Sequence, residues 1–195
     1  MRLVVGLGNP GGRYADTRHN VAWRVLDELA RRWRAGEVET TPVYAVRRAE
    51  VAGDTLALLQ PLTFMNNAGD ALEAWQHGPE GPAADLMVVA DDVYLPVGTL
   101  RVRARGSSGG HRGLESIVRA MGGRDFARLR IGVGAAESSE GLREHVLTGF
   151  SAEERTLVDE TVLQAADAME CWVAEGVLAV MNRFNRRTGK EVREP

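Results

Sequence analysis

Short runs of apolar residues alternate along the chain with segments whose apolar positions recur every three or four residues. Leu3–Leu7 and Leu86–Ala90 are continuously apolar, which is typical of strands buried on both faces of a sheet. Helical spacing covers Val21–Arg34, where the apolar residues fall on one face. The alternation predicts an α/β fold in which a twisted mixed β-sheet is flanked by helices on both faces.

Turn and cap signals predict the remaining elements. Gly53 and Asp54 separate two β-type runs and therefore predict a hairpin, and Ser151 with two following glutamates predicts a helix N-cap. The further predicted strands are Val43–Val51, Thr55–Gln60, Gly98–Arg105 and Ala127–Val133, and the further predicted helices are Ala68–His77, Arg112–Met121, Ser151–Glu175 and a shorter one after Gly176. Because no internal repeat or linker interrupts the pattern, residues 1–195 are expected to form a single globular domain.

Composition indicates the class of protein and its cellular compartment more than its function. Hydrophobic residues make up 44% of the chain and charged residues 26%, as in ordinary globular proteins. The single cysteine, Cys171, excludes an internal disulfide, which fits a reducing compartment. No apolar run reaches the roughly 18 residues that a transmembrane helix needs. We therefore expect a cytoplasmic protein with no membrane partner.

The net charge is −3, but the charged residues are distributed unevenly along the chain. Residues 97–133 contain eight arginines and two acids, a balance of +6, whereas residues 134–175 have a balance of −8. The last twenty residues return to +3. Such polarity suits one face for an anionic partner, although solvated helix and strand faces explain the charge alone equally well.

The loop after the first strand allows two interpretations. From residue 6 it reads G-L-G-N-P-G, which satisfies the G-x-G-x-x-G fingerprint of dinucleotide-binding folds. That fingerprint requires the loop to open directly into a helix, but Pro10 removes a backbone N–H donor and helical spacing begins only near Val21. A nucleotide-dependent oxidoreductase is therefore disfavoured, no cofactor is expected, and the glycines are expected to bend the chain so that Asn9 faces a cleft.

Polar residues follow several predicted strands, where the active sites of α/β sheets gather. A histidine with an aspartate behind it can act as a general base, and side-chain amides can orient a carbonyl or an oxyanion. No G-x-S-x-G elbow is present, Cys171 falls inside a helix, and the four histidines lack metal-binding spacing. With these nucleophiles and a metal site disfavoured, we expect the nucleophile to be a water molecule that a histidine activates without a metal ion. The aspartate is Asp91 or Asp92, and composition alone does not choose between them.

Seven blocks of sequence identify a family. They are V-G-L-G-N-P-G with T-R-H-N (5–20), P-L-T-F-M-N-N-A-G (61–69), D-D-V-Y-L-P-V-G (91–98), S-G-G-H-R-G-L-E-S-I (108–117), F-A-R-L-R-I-G-V-G (126–134), V-L-T-G-F-S (146–151) and M-N-R-F-N (181–185). In this order they resemble bacterial peptidyl-tRNA hydrolases over nearly the whole chain. The resemblance implies a monomeric enzyme, without cofactor or obligate protein partner. It would hydrolyse the ester between a peptide and the 3′ end of tRNA and so release tRNA from stalled translation.

The resemblance also implies roles for individual residues. The catalytic set would be His19 as the base that activates water, Asp91 as its orienting carboxylate, and Asn9, which with Asn66 would bind the substrate near the ester and stabilise the oxyanion. The substrate-binding residues would be Tyr14, Met65, Asn66 and Arg112. The tRNA phosphates would meet Arg101, Arg103, Arg105, Arg130, Arg186 and Arg187. The first three of these arginines alternate in a predicted strand and can project from one of its faces.

The chain departs from the family pattern at three positions and in one segment. Arg112 stands where asparagine is usual, and it could bind a phosphate or alter the cleft. Ala90 replaces a common histidine, Tyr94 replaces an acid or amide, and residues 135–140 are acidic where a basic or glycine-proline loop is common. These departures leave room for a noncatalytic RNA-binding relative, similar to splicing factors of the same fold. The retained His19 and Asp91 favour an active enzyme. Ala135–Leu142 is the best candidate for a lid.

Overall fold

A mixed sheet of seven strands forms the centre of the molecule. The computed structural model describes residues 1–79, 81–135 and 141–185. The strands are β1 (Arg2–Gly6), β2 (Glu39–Thr40), β3 (Tyr44–Val51), β4 (Asp54–Pro61), β5 (Asp85–Asp92), β6 (Leu100–Arg103) and β7 (Ala127–Gly132). Their spatial order is β2-β3-β4-β1-β5-β7-β6. Strand β1 is parallel to β4 and β5, and β5 is parallel to β7, whereas the other pairs are antiparallel.

Helices cover both faces of this sheet, as the sequence predicted. The helices are α1 (Val21–Arg32), α2 (Ala68–Gln76), α3 (Arg112–Ala120), α4 (Leu142–Val146), α5 (Ala152–Glu175) and α6 (Val177–Phe184). Helices α1, α5 and α6 pack on one face, and α2 and α3 pack on the other. No helix in the described ranges is long and apolar enough to span a membrane.

Strand β5 explains why the apolar run at its centre has no polar alternation. Met87 and Val89 point into the cluster under α1 and α5, whereas Val88 and Ala90 point into the cluster under α2 and α3. All four side chains are fully buried. A strand at the centre of a two-sided sheet needs apolar residues on both faces, because neither face meets water.

Most predicted elements agree with the structure to within one or two residues, and Ser151 forms the predicted N-cap as part of a capping box with Glu154. The predicted strand at 98–105 is too long, because β6 ends at Arg103. Beyond that point the chain turns towards Arg128, whose guanidinium donates hydrogen bonds to the carbonyls of Gly106 and Ser107. Strand β2 has only two residues, too few to produce a detectable pattern.

The outer edge of β6 is covered by a side chain that follows the C-terminal helix. Asn185 accepts a hydrogen bond of 2.7 Å from the Val102 N–H through Oδ1 and donates one of 2.8 Å to the Val102 carbonyl through Nδ2. The amide thus imitates a neighbouring strand and satisfies an edge that would otherwise be open to pairing. This contact gives the M-N-R-F-N block a structural role.

The glycines of the first loop serve close packing more than bending. A Cβ on Gly8 would lie 2.5 Å from the Trp23 ring, and one on Gly6 would lie 2.7 Å from Leu26, so α1 approaches this loop too closely for a side chain. Trp23 Nε1 also donates a hydrogen bond of 3.0 Å to the Gly6 carbonyl. In this loop only Gly11, with φ of 103°, adopts the left-handed conformation that favours glycine.

The packing of Gly8 predicts the effect of a single methyl group. We expect Gly8→Ala to lower the free energy of unfolding by about 1–3 kcal/mol, because the Trp23 ring must move out of its place. Urea denaturation followed by circular dichroism measures the change. Gly12→Ala is the matched control, since a Cβ there meets nothing within 4 Å, and it should change stability by under about 0.5 kcal/mol. Equal, small effects of both substitutions would contradict this packing role.

Candidate active site

A cleft of about 490 Å³ lies where the parallel strands β1, β4 and β5 end. The loops that follow these strands provide most of its walls, as expected for ligand sites in α/β sheets. Eight residues predicted from the sequence line it together: Asn9, Tyr14, His19, Met65, Asn66, Asp91, Arg112 and Arg130. The structure therefore brings together residues up to 121 positions apart in the chain.

His19 and Asp91 form the central pair of the cleft. His19 lies in a short 3-10 helix, Arg18–Asn20, and its Nδ1 is 2.7 Å from Oδ1 of Asp91 at the end of β5. The His19 side chain is 14% exposed and the Asp91 side chain 1% exposed. Because a carboxylate accepts hydrogen bonds, Nδ1 is the protonated nitrogen and Nε2 keeps its lone pair. This arrangement leaves a proton acceptor at the wall of the cleft.

A second histidine, His111, binds the same carboxylate oxygen. Its Nε2 is 2.8 Å from Asp91 Oδ1, and its Nδ1 accepts a hydrogen bond of 3.2 Å from the Leu114 N–H as the N-cap of α3. Since Nδ1 is an acceptor here, Nε2 carries the proton and donates it to Asp91. The backbone of α3 thereby fixes the tautomer of His111, and His111 helps to fix Asp91. Sequence reasoning assigned no role to His111, although its position after the S-G-G loop was a usable signal.

The buried carboxyl of Asp91 is held in its ionised form. Burial on its own would raise the pKa of Asp91, but the two histidines outweigh burial and lower it below the usual value. Asp92, in contrast, accepts a hydrogen bond of 3.0 Å from Arg130 and one of 2.9 Å from the Tyr94 N–H. Asp91 is therefore the partner of His19, a choice that composition left open.

Asn9 is fixed in the cleft wall by three hydrogen bonds. The side-chain amide of Asn20 accepts from the Asn9 N–H at 2.8 Å and donates to the Asn9 carbonyl at 2.9 Å. Oδ1 of Asn9 accepts the Met65 N–H at 2.9 Å. Because Oδ1 faces a backbone donor, the orientation of the amide is determined, and no residue of the described ranges bonds to its Nδ2, which can therefore donate to a ligand.

Arg18 anchors the 3-10 helix that carries His19. Its guanidinium forms a two-pronged ion pair with Glu154 at 3.0 and 2.7 Å, donates to the Val133 carbonyl, and stacks on Phe150 at 4.8 Å. The hydrogen bond from Arg18 lowers the pKa of Glu154. The backbone of residues 17–18 also pairs with residues 148–149. The T-R-H-N and V-L-T-G-F-S blocks are therefore in contact, and the second supports the first.

Aromatic and apolar groups also line the cleft. Tyr14 contacts Phe64 edge to face, with ring centroids 6.4 Å apart, and Met65 is a buried residue that lines the same cleft. Asn66 is exposed, and its Nδ2 donates to Asn67 Oδ1 at 2.9 Å. The cleft thus combines flat apolar surfaces with amides, which suits a ligand that has both a ring and carbonyl groups.

The cluster of two histidines and an aspartate also has the composition of a metal site. His19, Asp91 and His111 form a group of three potential ligands whose donor atoms lie within 4.8 Å of one another. Both nitrogens, however, lie 2.7–2.8 Å from the same oxygen, which is hydrogen-bond spacing. Ligands around tetrahedral zinc, with bonds of about 2.1 Å, would stand roughly 3.4 Å apart. The observed distances are those of two hydrogen bonds from the histidines to Asp91, and they are shorter than the distances expected between ligands of one zinc ion.

Two arginines on β7 hold the loop that leads to His111. Arg130 donates to Asp92 and to the carbonyls of Ser107 and Ser108. Arg128 is buried and donates to four carbonyls. Burial, together with the charges of Arg130 and Arg124, lowers its pKa to about 10. Contact of Arg130 with tRNA stays a prediction, and the structure adds a loop-holding role that the sequence did not indicate.

The other predicted tRNA contacts lie outside the cleft. Arg101 and Arg103 are exposed on β6, at the edge of the sheet. Arg105 is exposed as well but follows the end of the strand, so the prediction of three alternating strand residues is wrong for the third. Arg186, Arg187 and most of the acidic segment and predicted lid at 135–142 lie outside the described residues.

Comparisons with known proteins agree with this geometry. A sequence profile for peptidyl-tRNA hydrolase matches residues 3–192. The peptidyl-tRNA hydrolase of Syntrophomonas wolfei is 43% identical over 185 residues, which cover 95% of this chain and 100% of that protein. The corresponding enzyme of Geobacillus kaustophilus is 42% identical over 185 residues, with the same coverage of both chains. The crystal structure of peptidyl-tRNA hydrolase from Acinetobacter baumannii superposes with a TM-score of 0.84 at 32% identity, covering 95% of this chain and 94% of that one.

Proposed function

The chain belongs to the peptidyl-tRNA hydrolase family, and from this premise we propose that it releases peptides from tRNA by attack of a water molecule that His19 activates. The bond broken is the ester between the peptide carbonyl and the 3′ oxygen of the terminal adenosine. The observation that carries this proposal is the hydrogen bond of 2.7 Å from His19 Nδ1 to the buried, ionised Asp91. It leaves His19 Nε2 as the basic atom of the cleft.

His19 and Asp91 act on the proton of the attacking water. Nε2 accepts that proton while the water oxygen forms a bond to the ester carbonyl carbon. The imidazolium that results is stabilised by the negative charge of Asp91, which stays ionised because His19 and His111 both bond to it. His111 keeps the carboxylate in place and serves as a positioning residue.

Asn9 and the imidazolium complete the reaction. The negative charge that develops on the former carbonyl oxygen is met by the Nδ2 donor of Asn9, whose orientation is set by the Met65 N–H. As the tetrahedral intermediate collapses, the bond to the 3′ oxygen breaks and that oxygen takes the proton from His19. The products are a tRNA with a free 3′ hydroxyl and a peptide with a free carboxyl group, which releases its remaining proton to solvent.

The remaining cleft residues are assigned to substrate binding. Tyr14 and Met65 line the cleft and are assigned to the terminal adenosine and the first residues of the peptide, and Asn66, which lines the same cleft, is assigned to the substrate near the ester. Incubation with N-acetylated aminoacyl-tRNA in the presence of EDTA tests the proposed reaction. Release of the acetylated amino acid supports it, whereas tRNA binding without release would favour a noncatalytic RNA-binding relative. The family membership and the intact His19–Asp91 pair do not favour that alternative.

The basic edge of the sheet is assigned to the tRNA backbone. Because binding of each phosphate releases counterions, kcat/KM should fall as salt rises. Neutralising Arg103 and Arg105 to glutamine should make the slope of log kcat/KM against log salt shallower by about 0.7–0.9 for each phosphate that is no longer bound. Arg47→Gln on β3, near the opposite edge of the sheet, is the charge control. An unchanged slope in the double variant would assign the tRNA surface to another face.

We also propose that one chain is sufficient for activity, as a monomer in the cytoplasm where peptidyl-tRNA arises. In support, the residues assigned to water activation and to ester binding belong to one chain and line one cleft. The sheet that joins β2 to β6 and the two core clusters on its faces support a single domain as well.

A further inference from the structure

Two arginines on the rim of the cleft differ from the arginines around them. Arg112 and Arg143 both line the cleft and are exposed, and within the described ranges neither guanidinium forms a hydrogen bond or an ion pair with another residue. Their neighbours Arg18 and Arg130 are held by Glu154 and Asp92. Two unpaired guanidinium groups give this rim a positive potential that an anionic ligand can use.

Arg112 is next in sequence to the hydrogen-bonded group of His19, Asp91 and His111. It is the first residue of α3 and follows His111, which binds Asp91. Its guanidinium is a permanent cation. A guanidinium matches the geometry of a phosphate through two parallel N–H donors, whereas an amide cannot offer charge. Arg143 reaches the same cleft from α4, a separate element.

An exposed aromatic ring accompanies the two cations. Tyr94 lines the cleft while 70% of its surface remains exposed, and a hydrogen bond from its own N–H to Asp92 fixes the turn that carries it. Exposed rings beside positive charge are the means by which proteins bind single-stranded nucleic acid, since bases stack on the ring while cations meet the backbone.

We infer that Arg112, Arg143 and Tyr94 form a subsite for the single-stranded nucleotides that precede the terminal adenosine of tRNA. This inference rests on the proposed function, because that reaction places the ester at the 3′ end of the substrate. The anions closest to the ester along the substrate are the phosphodiesters of these nucleotides. The peptide carboxylate is esterified until the reaction has occurred. The arginines then bind phosphates, and Tyr94 stacks on a base.

The test compares two esters of the same N-acetylated amino acid, one on adenosine and one on the trinucleotide C-C-A. Arg112→Asn and Arg143→Gln should each lower kcat/KM for the trinucleotide ester about tenfold, the scale of removing one charge-assisted hydrogen bond. Neither substitution should lower kcat/KM more than about twofold for the adenosine ester, which has no phosphate. Tyr94→Ala should behave in the same way, and Tyr94→Phe should retain the rate because it keeps the ring. Arg124→Gln removes an exposed arginine at the opposite end of β7 and should leave both rates unchanged.

Equal reductions on both esters would overturn the subsite and would assign the arginines to the peptide or to the ester itself. Unchanged rates on both esters would overturn it as well. Binding of a fluorescent C-C-A trinucleotide, which has no ester, separates this inference from the proposed reaction. If the wild type binds the trinucleotide more tightly than Arg112→Asn does, yet cleaves neither ester, the result supports the subsite and contradicts the proposed function.

Discussion

Replacing His19 with alanine is expected to lower kcat for peptide release from N-acetylated aminoacyl-tRNA by at least about a hundredfold. This is the lower range for the loss of a general acid–base group. Initial rates at saturating substrate measure the effect. Affinity for tRNA should change little, because phosphate binding is assigned to other residues.

His77→Ala is the matched control for that variant. His77 is exposed at the end of α2 and its ring bonds to the Glu73 carbonyl, outside the cleft, so its removal should leave kcat unchanged within about twofold. The circular dichroism spectra of both variants should match that of wild type. A His19→Ala protein with full activity would contradict the mechanism, whatever its affinity for tRNA.

Asp91→Asn is expected to lower kcat by about a hundredfold or more. Asparagine nearly preserves the shape of the side chain and can accept a hydrogen bond, but it has no charge to stabilise the imidazolium of His19. Its amide can also turn a donor towards the N–H groups of His19 and His111, which both point at one oxygen in the native protein. Single-turnover rates at several pH values measure the effect separately from substrate binding.

The neighbouring residue provides the comparison. Asp92→Asn changes the same functional group one position along β5, but Asp92 bonds to Arg130 and to the Tyr94 N–H instead of to a histidine. We expect a reduction of less than about tenfold from it. If Asp92→Asn proved more damaging than Asp91→Asn, the assignment of the orienting carboxylate would be wrong.

The parts of the fold that sequence predicts well are those set by local pattern. The uninterrupted apolar run of β5 indicates a strand buried on both faces, and the helical spacing of α1 indicates a helix buried on one face. Each element lies where its pattern predicts it. The cap at Ser151 is equally predictable, because it depends on residues within one turn. Such features need no knowledge of the rest of the chain.

The site depends on contacts that no local pattern indicates. His19 and Asp91 are 72 positions apart, and Arg18 and Glu154 are 136 apart. The resemblance to a family suggested the first pair, but nothing suggested the second, since a buried arginine in a helix turn resembles any exposed one in sequence. His111 was missed for a related reason: a histidine at a helix start is usually a cap, and here it is a cap and a carboxylate ligand at once.

The glycine loop illustrates the same limit. Its sequence matches a cofactor-binding fingerprint and is also typical of a turn. The structure gives another reason for two of its glycines, because α1 packs so closely against them that a side chain would clash. The length of β6 was overestimated because the hydrogen bonds from Arg128 to the following loop are a tertiary effect. Periodicity predicts where an element can form, and packing decides where it ends.

The dependence of kcat/KM on pH in wild type and His19→Ala tests the central claim most directly. If a general base takes the proton from water, kcat/KM of the wild type should rise with pH on the acidic side and then reach a plateau. In His19→Ala the residual rate should rise in proportion to hydroxide, with no plateau. Retention of the wild-type plateau by the variant would show that another group is the base and would contradict the mechanism.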